Sequence, residues 1–238
     1  GKRVGEVILE RYPELKKNFS LFDFGAIVAA DSLAHDLGNP PFGHAGEDAI
    51  SDFFKDTSEG KSFQGKTSEA EWSDLINFEG NAQGFRILNK NQYGLKLTYA
   101  TLGAFTKYPC PSLFPQRDKS KKSQKKFVFF QTEKDIFHEV AGQLQLLKGN
   151  ELNGYRHPLT FLVEAADDIC YSIIDLEDGC SLGLVSYEEA KTLFEGVIVK
   201  NKSKLGKLEH LNSLQEKIGY LRALAIGDLM EECAALFL

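Results

Sequence analysis

The chain has 238 residues, a length that fits one large domain or two small ones. Hydrophobic residues make up 42% and charged residues 26%, as in a soluble protein with a buried core, and the net charge of -6 argues against whole-surface attraction to nucleic acid or anionic membranes. No apolar run approaches the roughly 18 residues that a membrane-spanning helix needs, and no signal peptide is visible at the start.

The cysteine pattern bears on the cellular compartment of the protein. The chain ends bear on whether the domain is truncated. The four cysteines form no CxxC pair, which argues against a zinc cage or a disulfide framework and favours a reducing, cytoplasmic setting. The chain begins at Gly1, its only methionine is Met230, and both ends show an amphipathic helical pattern. We therefore expect 1–238 to be a single helical domain, truncated at both ends.

Helical periodicity dominates the sequence, no strand alternation of useful length is present, and the predicted class is mainly α. The first strong helix runs from Phe24 to Leu37, and Gly38 stands where a C′ glycine would end it. Asn39, Pro40 and Pro41 then forbid its continuation. A polar loop is predicted at 56–70, and further helices cover 44–55, 78–89, 95–107, 132–147, 158–178 and 187–200.

Residues 109–126 contain three prolines and are predicted to form a mobile basic loop. The run consists of Arg117, Lys119, Lys121, Lys122, Lys125 and Lys126 against a single acid, Asp118. Basic grooves of this kind grip single-stranded nucleic acid, usually with aromatic rings that stack on the bases. No aromatic residue is interleaved here, so a solvated loop is favoured and a nucleic-acid-binding module stays the alternative.

Residues 60–67 read GKSFQGKT and match the pattern of a phosphate-binding loop, with Gly60, Gly65, Lys66 and Thr67 at the matching positions. That mechanism needs a buried strand before the loop, whereas the preceding residues are polar. We interpret the match as coincidental.

The segment SLAHDLGNPPFGHAGE carries the strongest chemical signal. His35 and Asp36 are adjacent near a helix end, about 100° apart around the axis, so both can reach one ion beside it. Imidazole and carboxylate together suit manganese or a transition metal. Taken alone, the pair fits equally a helix-end histidine beside a solvated acid. The rigid turn that follows, and His44 and Glu47 on one face of the next helix, favour a site for a polyphosphate.

A second acidic helix is FLVEAADDICYSIIDLEDG. Asp167, Tyr171 and Asp175 recur at four-residue spacing and share one face. Like charges stacked in this way are mildly destabilising, and a bound cation would offset the repulsion. From the spacing alone, a metal-binding face and a solvated acidic face are about equally favoured.

Three strings, LAHDLGNPPFGHAGE, FEGNAQGFRIL (78–88) and EAADDICYSIIDLEDG, closely resemble those of bacterial dGTPases and related HD-domain deoxynucleoside triphosphate triphosphohydrolases. The resemblance covers most of 24–180 and implies the helical HD-domain phosphohydrolase fold. It implies the metal ligands His35, Asp36 and Asp167, with Asp167 preferred to Asp168 because Tyr171 follows it by four residues. It also implies catalytic residues His44 and Glu47 and substrate-binding residues Asn81, Lys107, Tyr108, Tyr171 and Asp175.

The resemblance has one departure: the family's first histidine ligand lies upstream of the HD pair, in a segment that this chain lacks. By position, none of His138, His157 or His210 fits that role. We expect the chain alone to be a poor or inactive enzyme, since even residues behind metal ligands typically contribute about 10–100-fold.

The implied reaction converts a dNTP and water to a deoxynucleoside and inorganic triphosphate, with dGTP among the substrates. The implied cofactor is a divalent metal ion: manganese, magnesium or another metal of this kind. We expect a homo-oligomer with no membrane partner. The alternative within the superfamily is another nucleotide phosphohydrolase, such as a nucleotidase or a cyclic-nucleotide phosphodiesterase.

Overall fold

The computed structural model describes residues 1–90, 94, 96–115, 117–147, 149 and 153–237. Within these residues the secondary structure is helical and no β-strand is formed, which confirms the predicted mainly α class. The helices are α1 (Lys2–Arg11), α2 (Leu21–Ala34), α3 (His44–Asp56), α4 (Ser58–Lys61), α5 (Glu69–Ile76), α6 (Gly80–Asn89), α7 (Tyr99–Phe105), α8 (Lys134–Gln143), α9 (Pro158–Ser181), α10 (Tyr187–Val197) and α11 (Leu214–Phe237). No helix among the described residues is long and apolar enough to cross a membrane.

The chain groups into two compact units. Residues 1–25 and 162–238 form one, called the terminal unit, and residues 26–161 form the other, called the central unit. The grouping does not test the expectation of a single domain over 1–238, which stays a prediction. Two predicted segments include a position outside the described residues: residue 95 of the helix 95–107 and residue 116 of the basic loop 109–126.

The core of the central unit is built on phenylalanine. Phe129 and Phe137 stack with their ring centroids 4.3 Å apart, and Phe85 meets Phe137 edge-on at 6.4 Å. Ala34, at the end of α2, belongs to the same buried cluster as Phe105 at the end of α7. The core therefore fixes the end of α2, where the HD pair begins, against α6, α7 and α8.

The terminal unit packs α10 against α11. Phe194, Ile198 and Leu221 are fully buried between them. Ser186 and Glu189 form a capping box that starts α10, as their three-residue spacing favours. The face of α9 that carries Ile173 belongs to the same core.

The helix that carries the HD pair is shorter than its sequence predicts. α2 ends at Ala34, and the following residues form a tighter turn in which Leu37 N donates to Ala34 O and Asn39 N to Asp36 O. Gly38 has no left-handed backbone, so the predicted C′ role is wrong. A Cβ at Gly38 would lie 1.9 Å from the Gly80 carbonyl oxygen, so glycine is required there by close packing on α6.

The predicted loop at 56–70 is partly helical. Thr57 accepts a hydrogen bond from Gly60 N and starts the one-turn helix α4, and a 3-10 turn follows at Gln64–Lys66. The string that resembles a phosphate-binding loop therefore follows helix α3 rather than a strand. Its Lys66 ammonium lies over the Phe63 ring, 5.4 Å from the centroid. This geometry lacks the strand-to-helix turn in which backbone amides cradle phosphate.

The predicted basic loop has local structure of its own. Arg117 donates to the Ser112 carbonyl oxygen at 3.0 Å, and buried Gln124 accepts from Asp118 N at 2.7 Å. Lys119, Lys121 and Lys125 are exposed, whereas Lys126 is half-buried. Mobility of the loop stays a prediction.

Candidate active site

The HD pair is held in a defined geometry by its own turn. The His35 Nδ1 atom lies 2.7 Å from the Ser32 carbonyl oxygen, and the Nε2 atom lies 3.1 Å from Oδ2 of Asp36. The other Asp36 oxygen accepts a hydrogen bond from the Asn39 amide at 2.7 Å. The turn therefore orients both side chains of the pair.

The donor chemistry of the pair fits part of a metal site. A carbonyl oxygen only accepts, so Nδ1 of His35 carries the proton that it shares with Ser32. In a neutral imidazole, Nε2 then presents a lone pair toward a carboxylate oxygen of Asp36, and two such acceptors repel unless a proton or a cation lies between them. Imidazole nitrogen beside carboxylate is a common ligand pair for divalent ions.

The pair does not form a complete ligand set by itself. Within the part of the chain that the structure describes, no group of three or more His, Cys, Asp or Glu side chains is arranged to hold a metal ion. The third predicted ligand, Asp167, lies on α9 in the terminal unit. His35 and Asp36 therefore account for two ligands, and the rest of the metal site stays a prediction.

The turn after the HD pair contains an unusual backbone. Phe42 has a φ of 68° and Gly43 a φ of 55°. The left-handed region is costly for a phenylalanine, and Phe42 is 91% exposed, so core packing does not offset the cost. Strained backbone of this type clusters at functional sites. The turn places His44 at the first position of α3, where its side chain is exposed.

Glu47 lies in a buried ionic cluster that we call the Glu47–Lys126–Glu79 cluster. Glu47 is 8% exposed and accepts from Gly80 N at 2.7 Å. The Lys126 ammonium lies 3.3 Å from Oε2 of Glu47 and 3.1 Å from Oε1 of Glu79. Burial raises the pKa of Glu79; burial alone would lower the pKa of Lys126, but Glu79 and Glu47 outweigh it and raise that pKa.

The contacts of this cluster bear on the catalytic role predicted for Glu47. Within the part of the chain that the structure describes, Glu47 bonds to Gly80 N and to Lys126 and not to His44, and the catalytic roles of His44 and Glu47 stay a prediction. Sequence reasoning assigned Lys126 only to the basic loop. The signal that could have distinguished it is its place directly before the buried run Phe127–Phe130, which anchors it in the core.

The predicted substrate residues of the central unit lie on two short segments. Asn81 donates from its amide to Glu79 Oε1 at 2.7 Å, which ties it to the Glu47–Lys126–Glu79 cluster. Lys107 and Tyr108 are half-buried and directly follow α7. The structure thus brings Asn81 and Glu47 to one ionic cluster.

Asp31 is a residue that sequence reasoning missed. It is 1% exposed, and neither carboxylate oxygen has a hydrogen-bond partner. Burial raises the pKa of Asp31 to about 7, against the opposing charges of Lys107 and His35. The available signal was an acid one helical turn before His35, directly after the apolar stretch 24–30.

The remaining predicted residues lie on α9. Asp167 is half-buried, while Asp168, Tyr171 and Asp175 are exposed. The buried Ile173 lies on the opposite side of the helix. The face that carries Asp167, Tyr171 and Asp175 is therefore polar and accessible within the terminal unit.

Comparison with known proteins gives the following relatives; no family model matches the chain. A deoxyguanosinetriphosphate triphosphohydrolase-like protein of Synechocystis sp. is 43% identical over the whole chain, and the chain covers 55% of that protein. A protein of the same name from Pseudomonas aeruginosa is 41% identical, with 54% of it covered. A deoxyguanosinetriphosphate triphosphohydrolase of Yersinia pseudotuberculosis is 31% identical, with 55% covered. The chain spans about half the length of the curated relatives it matches.

Proposed function

This chain belongs to the family of deoxyguanosinetriphosphate triphosphohydrolase-like proteins, and from that premise we propose that the protein hydrolyses dNTPs, dGTP among them, to deoxynucleoside and inorganic triphosphate. The observation that carries the proposal is the HD turn. There the hydrogen bond to Ser32 fixes the proton of His35 on Nδ1 and leaves Nε2 facing the Asp36 carboxylate.

The residues that would hold a divalent ion, manganese or magnesium, are His35, Asp36 and Asp167. When bound, such an ion neutralises phosphate charge and lowers the pKa of water. Ser32 supports this role, because its carbonyl oxygen fixes the tautomer of the His35 ring.

The proton-transfer role falls to His44. Its side chain is exposed at the start of α3, where no side chain caps the helix. We assign His44 to protonation of the leaving 5′-oxygen. Glu47 is buried at the same helix end, where Gly80 N and the Lys126 ammonium hold its carboxylate.

The remaining residues would hold the substrate. Lys107 offers an ammonium as a point charge for the outer phosphates, with Tyr108 and Asn81 as hydrogen-bond donors. Tyr171 exposes 59% of its surface and offers a ring against which a deoxyribose packs, with Asp175 one turn further along α9 as an acceptor for sugar hydroxyls.

The test is product identification. The full-length protein is incubated with each of the four dNTPs and Mn²⁺, and the products are separated by ion-exchange chromatography. We expect deoxynucleoside and triphosphate in equal amounts. Release of orthophosphate would instead favour another HD-family nucleotide phosphohydrolase.

A second candidate is single-stranded nucleic acid binding through the basic loop. The observation that favours it is the exposure of Lys119, Lys121 and Lys125 on one short segment. Replacing these three lysines with glutamine should abolish salt-dependent binding of an oligonucleotide and leave hydrolysis in place.

A further inference from the structure

The most unusual buried group outside the predicted site is the carboxylate of Asp31. Only 1% of the residue is exposed, and both oxygens lack a hydrogen-bond partner. Buried carboxylates are ordinarily paired or hydrogen-bonded, because an uncompensated charge in the interior is strongly unfavourable. Such a group calls for a role beyond packing.

The packing of α2 places this carboxylate behind the candidate site. Asp31 lies in the last turn of α2 and His35 directly follows that helix, and Ala34 between them is packed in one core cluster with Phe105. Lys107 comes two residues after Phe105, and it is the cation whose charge acts most strongly on Asp31, followed by His35. The charges of one predicted metal ligand and one predicted phosphate-binding lysine therefore act on the buried Asp31 carboxylate.

We propose that Asp31 is a positioning residue that acts through His35 and Lys107, strengthening the binding of a divalent cation and weakening the binding of a metal-free polyphosphate. The proposal rests on the proposed function, because that function assigns the metal to His35 and the phosphates to Lys107. Nothing in the reaction requires Asp31 to touch substrate or metal.

The charge of Asp31 has opposite effects on the two ligands. Its negative field attracts a divalent cation at the HD pair and partly cancels the pull of Lys107 on a polyphosphate. Because the carboxylate is buried, salt screens it poorly. A neutral side chain of the same shape removes both effects at once, and a loss of packing alone would weaken both ligands together.

The test compares two probes on the whole protein with Asp31→Asn. Affinities for Mn²⁺ alone and for inorganic triphosphate in metal-free buffer are measured by calorimetry, at a pH of about 8, where a carboxyl whose pKa is about 7 is ionised. We expect Mn²⁺ to bind roughly tenfold more weakly, as when residues behind metal ligands are removed. Triphosphate should bind several-fold more tightly. The control is Asp52→Asn, which removes the same charge from an exposed position on α3 and should change neither affinity.

The outcomes separate this proposal from the proposed function. Unchanged affinities, or a loss of both, would overturn the role of Asp31, whereas failure of the triphosphate-release assay would overturn the function alone. If Asp31→Asn does not fold, a second experiment measures triphosphate affinity in Lys107→Gln with and without Asp31→Ala. In the Lys107→Gln background the Asp31 substitution should tighten triphosphate binding less than it does in the parent protein, and an undiminished effect would refute the action through Lys107.

Discussion

The Nε2 atom of His35 lies 3.1 Å from Oδ2 of Asp36, while Nδ1 of the same ring is bonded to the Ser32 carbonyl oxygen. The two side chains therefore direct acceptor atoms at the same point unless the ring is protonated. This relationship is the basis for assigning them to a divalent ion.

Asp36→Ala should abolish retention of the metal. The substitution removes one of the two side chains proposed to bind the metal at the HD turn and leaves His35 alone there. Elemental analysis of the purified protein measures the metal content, with Asp48→Ala, an exposed acid on α3, as the control. An unchanged metal content in Asp36→Ala would remove the HD pair from the ligand set.

Asp167→Asn should reduce activity far more than Asp168→Asn, by at least tenfold if Asp167 binds the metal. The neighbours differ in burial, since Asp167 is half-buried and Asp168 is exposed on α9. Steady-state rates of the two variants decide the matter. Equal losses, or a larger loss in Asp168→Asn, would reverse the assignment.

Lys126→Met should destabilise the protein by about 3 kcal/mol, because it leaves the buried carboxylates of Glu47 and Glu79 without their shared cation. Urea denaturation measures the free energy of unfolding. Lys125→Met is the matched control: its side chain is exposed, and the change should stay within about 0.5 kcal/mol. Equal effects of the two substitutions would show that the ionic cluster contributes nothing.

Asp31 should make the protein less stable as the pH rises. Burial raises its pKa from 3.8 to about 7, so the folded state holds a proton that the unfolded state has lost between these values. Stability from this group is therefore complete below about pH 4 and falls as the pH approaches 7, by up to roughly 4 kcal/mol.

Asp31→Asn should flatten that part of the stability profile and raise the melting temperature near neutral pH. Thermal melts of the protein and the variant between about pH 5 and pH 8 test this sign. Parallel profiles for the two proteins would mean that Asp31 is paired or solvated.

Lys66→Ala should leave hydrolysis unchanged. Lys66 lies in a 3-10 turn after α4 with its ammonium over the Phe63 ring, and the segment lacks the geometry of a phosphate-binding loop. Rates at saturating and limiting dNTP are compared with those of the parent protein. A large loss of activity in a folded variant would mean that the string binds phosphate after all.

The sequence predicts the helices well and their junctions less well. Helix α3 is observed at His44–Asp56 against a predicted 44–55, because a turn with two prolines and Gly43 fixes its start. The end of α2 and the requirement for Gly38 depend on the approach of Gly80, which is distant in sequence. Helix α4 depends on the Thr57 cap, which a polar composition concealed.

In the candidate site too, local sequence spacing predicts some residues, whereas others depend on the tertiary fold. Local spacing identifies His35 with Asp36, and His44 with Glu47, since each pair lies within one turn. The partner of Glu47 could not be predicted, because Lys126 reaches it from a segment 79 residues away. The burial of Asp31 is likewise a tertiary property, set by the packing of the α2 end beside Phe105.

The most direct test of the central claim is phosphorus NMR of dGTP hydrolysis in oxygen-18 water by the full-length protein and by its Asp36→Ala variant. The account predicts that the parent protein yields inorganic triphosphate as the only phosphorus product. One oxygen-18 should stand on a terminal phosphate, and the variant should yield no product. Orthophosphate or pyrophosphate as the initial product, or an equal rate in the Asp36→Ala variant, would contradict it.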